Sequence, residues 1–177
     1  MSGRKAALIS CLIALVLGGG LWLGLTRKAP PEKAAAPAVP PSPVHEKAAL
    51  EEQLRKSPGH TPVLLKLAQL ELGQGEAASA RKRLEEILKA ESGNLDARLE
   101  LGRACYETDD LPCAIEQTEY ILKAQPDNVD ALYNMGAIYA NTKHPEKARE
   151  LWNRAVKTAP DSPSGKKAAA ALKQLGG

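Results

Sequence analysis

The sequence contains no phenylalanine, and its aromatic residues are four tyrosines and two tryptophans among 177 residues. Any core must therefore be built from Leu, Ala, Ile and Val. That suits thin helical pairs, each burying a face on its neighbour, better than the deep core of an enzyme. Cysteine is scarce, with Cys11, Cys105 and Cys113 making the three present. None lies at the two-residue spacing of a redox dithiol. His45, His60 and His144 are scattered, and none has a spaced Cys, His or carboxylate companion to share a metal ion. No glycine-rich strand-to-helix loop is present to cradle a phosphate. The reading is a chain without catalytic residues, cofactor or metal.

Excess charge is also lacking. The net charge of +3 is uneven: residues 1–44 hold five Lys or Arg and one Glu, and the remainder holds 19 basic and 20 acidic side chains. No large basic field invites nucleic acid. The run Arg81-Lys82-Arg83 reads as a solvated helix face.

One long apolar run stands out. Residues 6–25, AALISCLIALVLGGGLWLGL, carry no charge and are flanked by Arg4-Lys5 and Arg27-Lys28. Twenty helical residues span about 30 Å, the thickness of a bilayer's hydrocarbon layer. The run is longer than a signal-peptide core, and no small-x-small site follows it, so an uncleaved anchor is expected. Leu8-Ile9-Ser10-Cys11 matches a lipidation box, but only five apolar residues precede Cys11, too few for that signal. A tail of five residues before the anchor is expected to stay in the cytoplasm, which exports the rest. Ala6, Ser10, Ala14 and Gly18, with Gly20 and Gly24, form small-residue stripes that would let two such helices associate. Residues 26–44 follow as a linker; six prolines between Ala29 and Pro43 exclude a helix and predict an extended spacer.

The remainder, 45–177, is repetitive. Asn128 to Pro160 shows two helical patterns around a polar break at Thr142 to Pro145. Shifted by 34 residues, Gly136 falls on Gly102, Met135 on Leu101, Ala148 on Ala114, Val156 on Leu122 and Pro160 on Pro126. A second shift reaches Leu67, Ala68, Ala80 and Leu88. A fixed period of about 34 with two helices per unit is the signature of a stacked helical repeat. Three units are predicted at about 61–94, 95–128 and 129–162. A lone helix, Val44 to Lys56, precedes them with Ala48, Leu50 and Leu54 on one face. A capping helix, 163–175, follows. Pro112 and Pro145 open second helices, and Pro126 and Pro160 stop them.

The unit resembles the tetratricopeptide repeat (TPR), best in the third copy through Gly136, Tyr139, Ala148, Trp152, Ala155 and Pro160. The second copy has Thr118 where the family prefers a large aromatic, and the first has Ala68 for Gly and Ser92 for Pro. The resemblance implies an all-α solenoid of three repeats with flanking capping helices, and the apolar run at 6–25 places one transmembrane helix before it. It implies that Gly102 and Gly136 mark the closest approach within a pair. It implies too that Leu67, Leu101, Met135, Leu84, Ile121 and Trp152 fill the space between pairs. It also implies a concave groove that takes a protein or peptide segment, lined by Leu65, Lys66 and Gln69, then Asp96, Leu99, Glu100, Arg103 and Tyr106, then Tyr133, Asn134, Ala137 and Asn141. The subtype that clamps the acidic tail of cytosolic chaperones uses Lys, Asn and Arg. Here the equivalents are Leu65, Gln69, Glu100, Asp130 and Asn134, so that clamp is absent.

Cys105 and Cys113 lie on the two helices of one pair. An exported domain permits a disulfide between them, and two small buried thiols are the other reading. The expected role is that of a membrane-anchored adaptor in the bacterial inner membrane. Its repeats would face the periplasm and serve envelope protein assembly or maturation, as in cytochrome c maturation or translocon-associated chaperoning. The alternatives are a thiol-disulfide helper using Cys105 and Cys113, and an adaptor facing the cytoplasm.

Overall fold

The structure, a computed structural model, describes residues 43–176. That region is eight α-helices without a strand: α1 (Pro43–Lys56), α2 (Thr61–Gly73), α3 (Ala77–Ala90), α4 (Leu95–Glu107), α5 (Leu111–Ala124), α6 (Val129–Asn141), α7 (Pro145–Thr158) and α8 (Pro163–Gly176). The helix starts form two series, Pro43, Ala77, Leu111, Pro145 and Thr61, Leu95, Val129, Pro163, each with a 34-residue step. The register thus continues beyond the three pairs. In that register α1 stands in the place of a second helix and α8 in the place of a first. Both helices thus keep the common spacing.

Local chemistry repeats with that spacing. Asn94 and Asn128 cap α4 and α6 by accepting the backbone N–H of Ala97 at 2.9 Å and of Ala131 at 3.0 Å. Ser162, another 34 residues on, accepts from Gly165 at 3.0 Å and caps α8. Each cap satisfies a first-turn donor that the helix leaves unpaired. The turn inside each pair needs a left-handed residue at the same point, and Gly75 (φ 78°), Asp109 (φ 60°) and Lys143 (φ 61°) supply it. Only glycine adopts that conformation without steric cost. Lys143→Gly is therefore expected to stabilise the fold by about 0.5–1 kcal/mol, the relieved strain outweighing the added unfolded-state entropy. A urea melt whose midpoint stays level or falls would contradict this.

Inside each pair, the residue on the first helix and its facing residue on the second are matched in size. In the third pair Gly136 lies beneath Trp152; a Cβ there would overlap the indole, with Cε2 only 2.9 Å away. The indole N–H donates to the Tyr133 carbonyl at 3.1 Å. In the second pair Gly102 faces Thr118, whose Oγ1 would stand 3.4 Å from such a Cβ. In the first, Ala68 and Leu84 take the two places, both fully buried. Leu84 and Trp152, expected between pairs, thus fill the space within their own pairs. Leu64, Leu67, Leu84, Ile87, Ile121 and Leu132 are the largest buried aliphatics, each contributing roughly 1.5–3 kcal/mol by leaving water.

Two surface expectations change. Of the run Arg81-Lys82-Arg83 only Lys82 is exposed, and the two arginines are engaged. Arg83 Nε donates to both carboxylate oxygens of buried Glu71, at 2.8 and 2.9 Å, and Arg81 reaches Glu85 and Asp110, each at 2.8 Å. The hairpin folds α3 back onto α2, which brings Arg83 over a carboxylate 12 residues earlier. On α1, Ala48 is exposed, whereas Leu50 and Leu54 are half-buried. Among the described residues no helix is long and apolar enough to cross a membrane. The tail at 1–5, the anchor at 6–25 with its small-residue stripes, and the linker as far as residue 42 lie outside the described residues.

Candidate functional site

The helices α2, α4, α6 and α8 lie side by side in succession, so their outward faces form one continuous surface. α4, α6 and α8 enclose a cavity of about 450 Å³ on it. Seven of the twelve residues expected from the sequence line this cavity: Leu99, Glu100, Arg103 and Tyr106 from α4, and Tyr133, Asn134 and Ala137 from α6. Tyr106 remains 36% exposed. Arg103 Nε donates to Glu107 at 2.9 Å and its guanidinium lies 4.0 Å from Glu100. This places an ion-paired rim beside an apolar floor of Leu99, Ala137 and Ile138.

The other five lie outside the cavity. Leu65 packs on the core cluster, and Lys66 pairs with Glu46 of α1 at 3.5 Å. Gln69 donates to Glu100 at 3.1 Å. Asp96 and Asn141 are exposed at opposite ends of their helices.

The wall at the far end escaped the sequence reading. Pro163, Ser164 and Lys167 of α8 line the cavity. Ser164 donates to the Asp130 carboxylate, and the Lys167 ammonium stands 5.8 Å from the centre of the Tyr133 ring. The signal was available, because Ser164 falls on Asp130 and Lys167 on Tyr133 in the 34-residue register. α8 sits so close because Gly165 has no side chain: a Cβ there would overlap the Ala159 carbonyl oxygen.

Cys105 and Cys113 are joined by a disulfide, with their Cα atoms 5.8 Å apart. The bond ties α4 to α5 beside the cavity residue Tyr106. Cys105 is fully buried and Cys113 half-buried. A thiol attacking the reachable Cys113 sulfur would have to expel a Cys105 thiolate into the apolar core, where burial disfavours charge. That arrangement fits a staple better than an exchange catalyst. Asp110 lies with both sulfurs inside a 4.8 Å cluster. Its two oxygens are taken by Arg81 (2.8 Å) and the Cys113 N–H (3.2 Å), and the sulfurs are bonded to each other, so no ligand set for a metal is left. Hydrogen bonds from Arg81 first, and then from the Cys113 N–H, hold the Asp110 carboxyl below its ordinary range. What this tie contributes is present above that range and fades as pH falls through the lowered value.

A family model described as tetratricopeptide repeat matches residues 65–120, and a second of the same description matches 114–172. The chain belongs to the tetratricopeptide repeat family. The second match runs into α8, so the TPR assignment takes in that helix as well. No curated protein matches the chain. Among solved structures the TPR fold is similar to MamA, at 21% identity over 73% of this chain and 79% of that one, with a TM-score of 0.59. It is similar to YrrB, described as a TPR protein with an unusual peptide-binding site, at 24% identity over 72% of this chain and 64% of that one, with a TM-score of 0.62. A tetratricopeptide repeat protein from Parabacteroides merdae is 18% identical over 75% of this chain and 53% of that one, with a TM-score of 0.60. These likenesses concern the TPR fold.

Proposed function

We propose that this TPR protein is a scaffold that holds a segment of a partner protein in the cavity between α4, α6 and α8. The observation that carries the reading is the convergence of seven expected groove residues on one cavity of about 450 Å³. That volume lies within the range of ligand pockets, and its lining combines the exposed Tyr106 ring, the half-buried Tyr133, an apolar floor and a polar rim. The peptide-binding site ascribed to YrrB lends support by analogy of fold.

In the same reading, residues 6–25 anchor the chain in a bacterial inner membrane by one span. Residues 26–42 hold the stack off the bilayer, α1 beginning already at Pro43, and the repeats serve envelope protein assembly or maturation in the periplasm. The Cys105–Cys113 disulfide supports the exported side, since such bonds persist in oxidising compartments. A reporter fused after Gly177 tests this: activity of a periplasm-dependent reporter is expected, and activity of a cytoplasm-dependent one would overturn the topology.

The groove is tested at Tyr106. Its exposed ring makes Tyr106→Ala the clean change, expected to weaken partner capture by about tenfold or more while the thermal midpoint holds. Tyr133 is less suited to truncation, because its ring stacks on Trp152 with centroids 6.5 Å apart. Capture undiminished by Tyr106→Ala would move the site elsewhere.

A further inference from the structure

Cys105 and Cys113 share one disulfide, but their settings differ in two independent respects. Cys105 is fully buried inside the main core cluster, and Cys113 is half-buried at the edge of that cluster. Cys113 is the third residue of α5, and Cys105 is the third from the end of α4. Unpaired backbone N–H groups at a helix start favour a negative sulfur, and unpaired carbonyls at a helix end oppose one. Burial and helix polarity therefore act in the same direction on the pair. Asp110 does not tell the two apart, because it lies within 4.8 Å of both sulfurs and its charge is met by Arg81.

We propose that Cys113 is the site at which the reduced chain is oxidised. Its sulfur takes one half of a disulfide-bearing oxidant, and Cys105 then displaces that half to close the staple. In the first step the Cys113 thiolate attacks a sulfur of the oxidant, RSSR. The S–S bond of the oxidant breaks, a Cys113–SR bond forms and one thiolate leaves. In the second step the Cys105 thiolate attacks the Cys113 sulfur, the Cys113–SR bond breaks and the other thiolate leaves. The two cysteine protons pass to the two released thiolates. The chain loses two electrons, and the oxidant ends as two thiols.

The fold separates the two steps. The Cα atoms stand 5.8 Å apart, within the reach of a bridge, so the second step needs no backbone movement. The Cys105 thiolate forms in the core, where charge is disfavoured, but its target is held beside it and no encounter is needed. An oxidant reaches Cys105 first only when the α4–α5 hairpin opens.

The test uses the full chain in mild detergent, reduced, freed of reductant and then treated with glutathione disulfide near neutral pH. Adducts are located by mass spectrometry of peptides, which keeps Cys11 apart. Ser79 already stands in the place of Cys113 one unit earlier, so Cys113→Ser suits the fold. Cys105→Ala is expected to take glutathione on Cys113, and Cys113→Ser to take it on Cys105 at least about tenfold more slowly. The parent is expected to close its internal disulfide without accumulating an adduct. In denaturing urea the two single variants should react at similar rates. A short pulse of iodoacetamide on the reduced parent carries the same prediction without any substitution, with label appearing on Cys113 first. Equal rates in the folded variants, first labelling of Cys105, an adduct that persists in the parent, or an asymmetry that survives in urea would each overturn the assignment. Circular dichroism verifies that both variants are folded.

Discussion

Replacing Arg83 by methionine is expected to cost about 3–5 kcal/mol, because it leaves a buried carboxylate without its main partner. Glu71 is only 1% exposed, and Arg83 supplies both of its short hydrogen bonds. The remaining cation, Lys47 Nζ, is 3.7 Å away and already serves Glu76 at 2.5 Å. Replacing both Glu71 by leucine and Arg83 by methionine should restore most of the loss, since removing a buried pair together is often neutral. Chemical denaturation of the two variants decides the matter. A single variant within about 1 kcal/mol of the parent would mean that Lys47 or water compensates the carboxylate.

The second large effect is at Gly136. Adding a methyl group drives it into the Trp152 indole, and overpacking of this kind costs typically 1–3 kcal/mol. Trp152→Leu on its own opens a cavity and forfeits the hydrogen bond to Tyr133, for about 3–5 kcal/mol. The two together recreate the Ala68–Leu84 combination of the first pair, so the double variant should be more stable than the sum of the singles implies by at least about 1 kcal/mol. Gly102→Ala provides the contrast. Thr118 leaves ordinary contact distance there, so the gain in helix propensity should stabilise by up to about 1 kcal/mol. Strict additivity at Gly136 and Trp152 would refute the size-matching account.

Period and repeat boundaries were legible in the chain because they rest on local rules that recur every 34 residues: a proline in a first turn, a proline after the second helix, small residues at the tight approach. The partners of Arg81 and Arg83 were not legible. Their acids lie 29 and 12 residues away, and only the hairpin geometry brings them together. The groove was half legible. Positions on α4 and α6 follow from the face they present, whereas the contribution of α8 depends on treating the last helix as part of the register. The disulfide was one of two open readings, since spacing alone does not orient two side chains.

The three hairpins are fastened at one equivalent position by three chemistries. Glu71, Cys105 and Tyr139 occupy the same place in successive units and bind Arg83 through ions, Cys113 through sulfur, and His144 edge-on at 6.0 Å between ring centroids. Stability in a repeat stack is the sum of unit and neighbour contributions, so segments can open separately. Reductant acts directly on the middle hairpin alone, and salt bears on the first more than on the last. Amide exchange would therefore resolve the stack into three segments whose protection is set by different solutes.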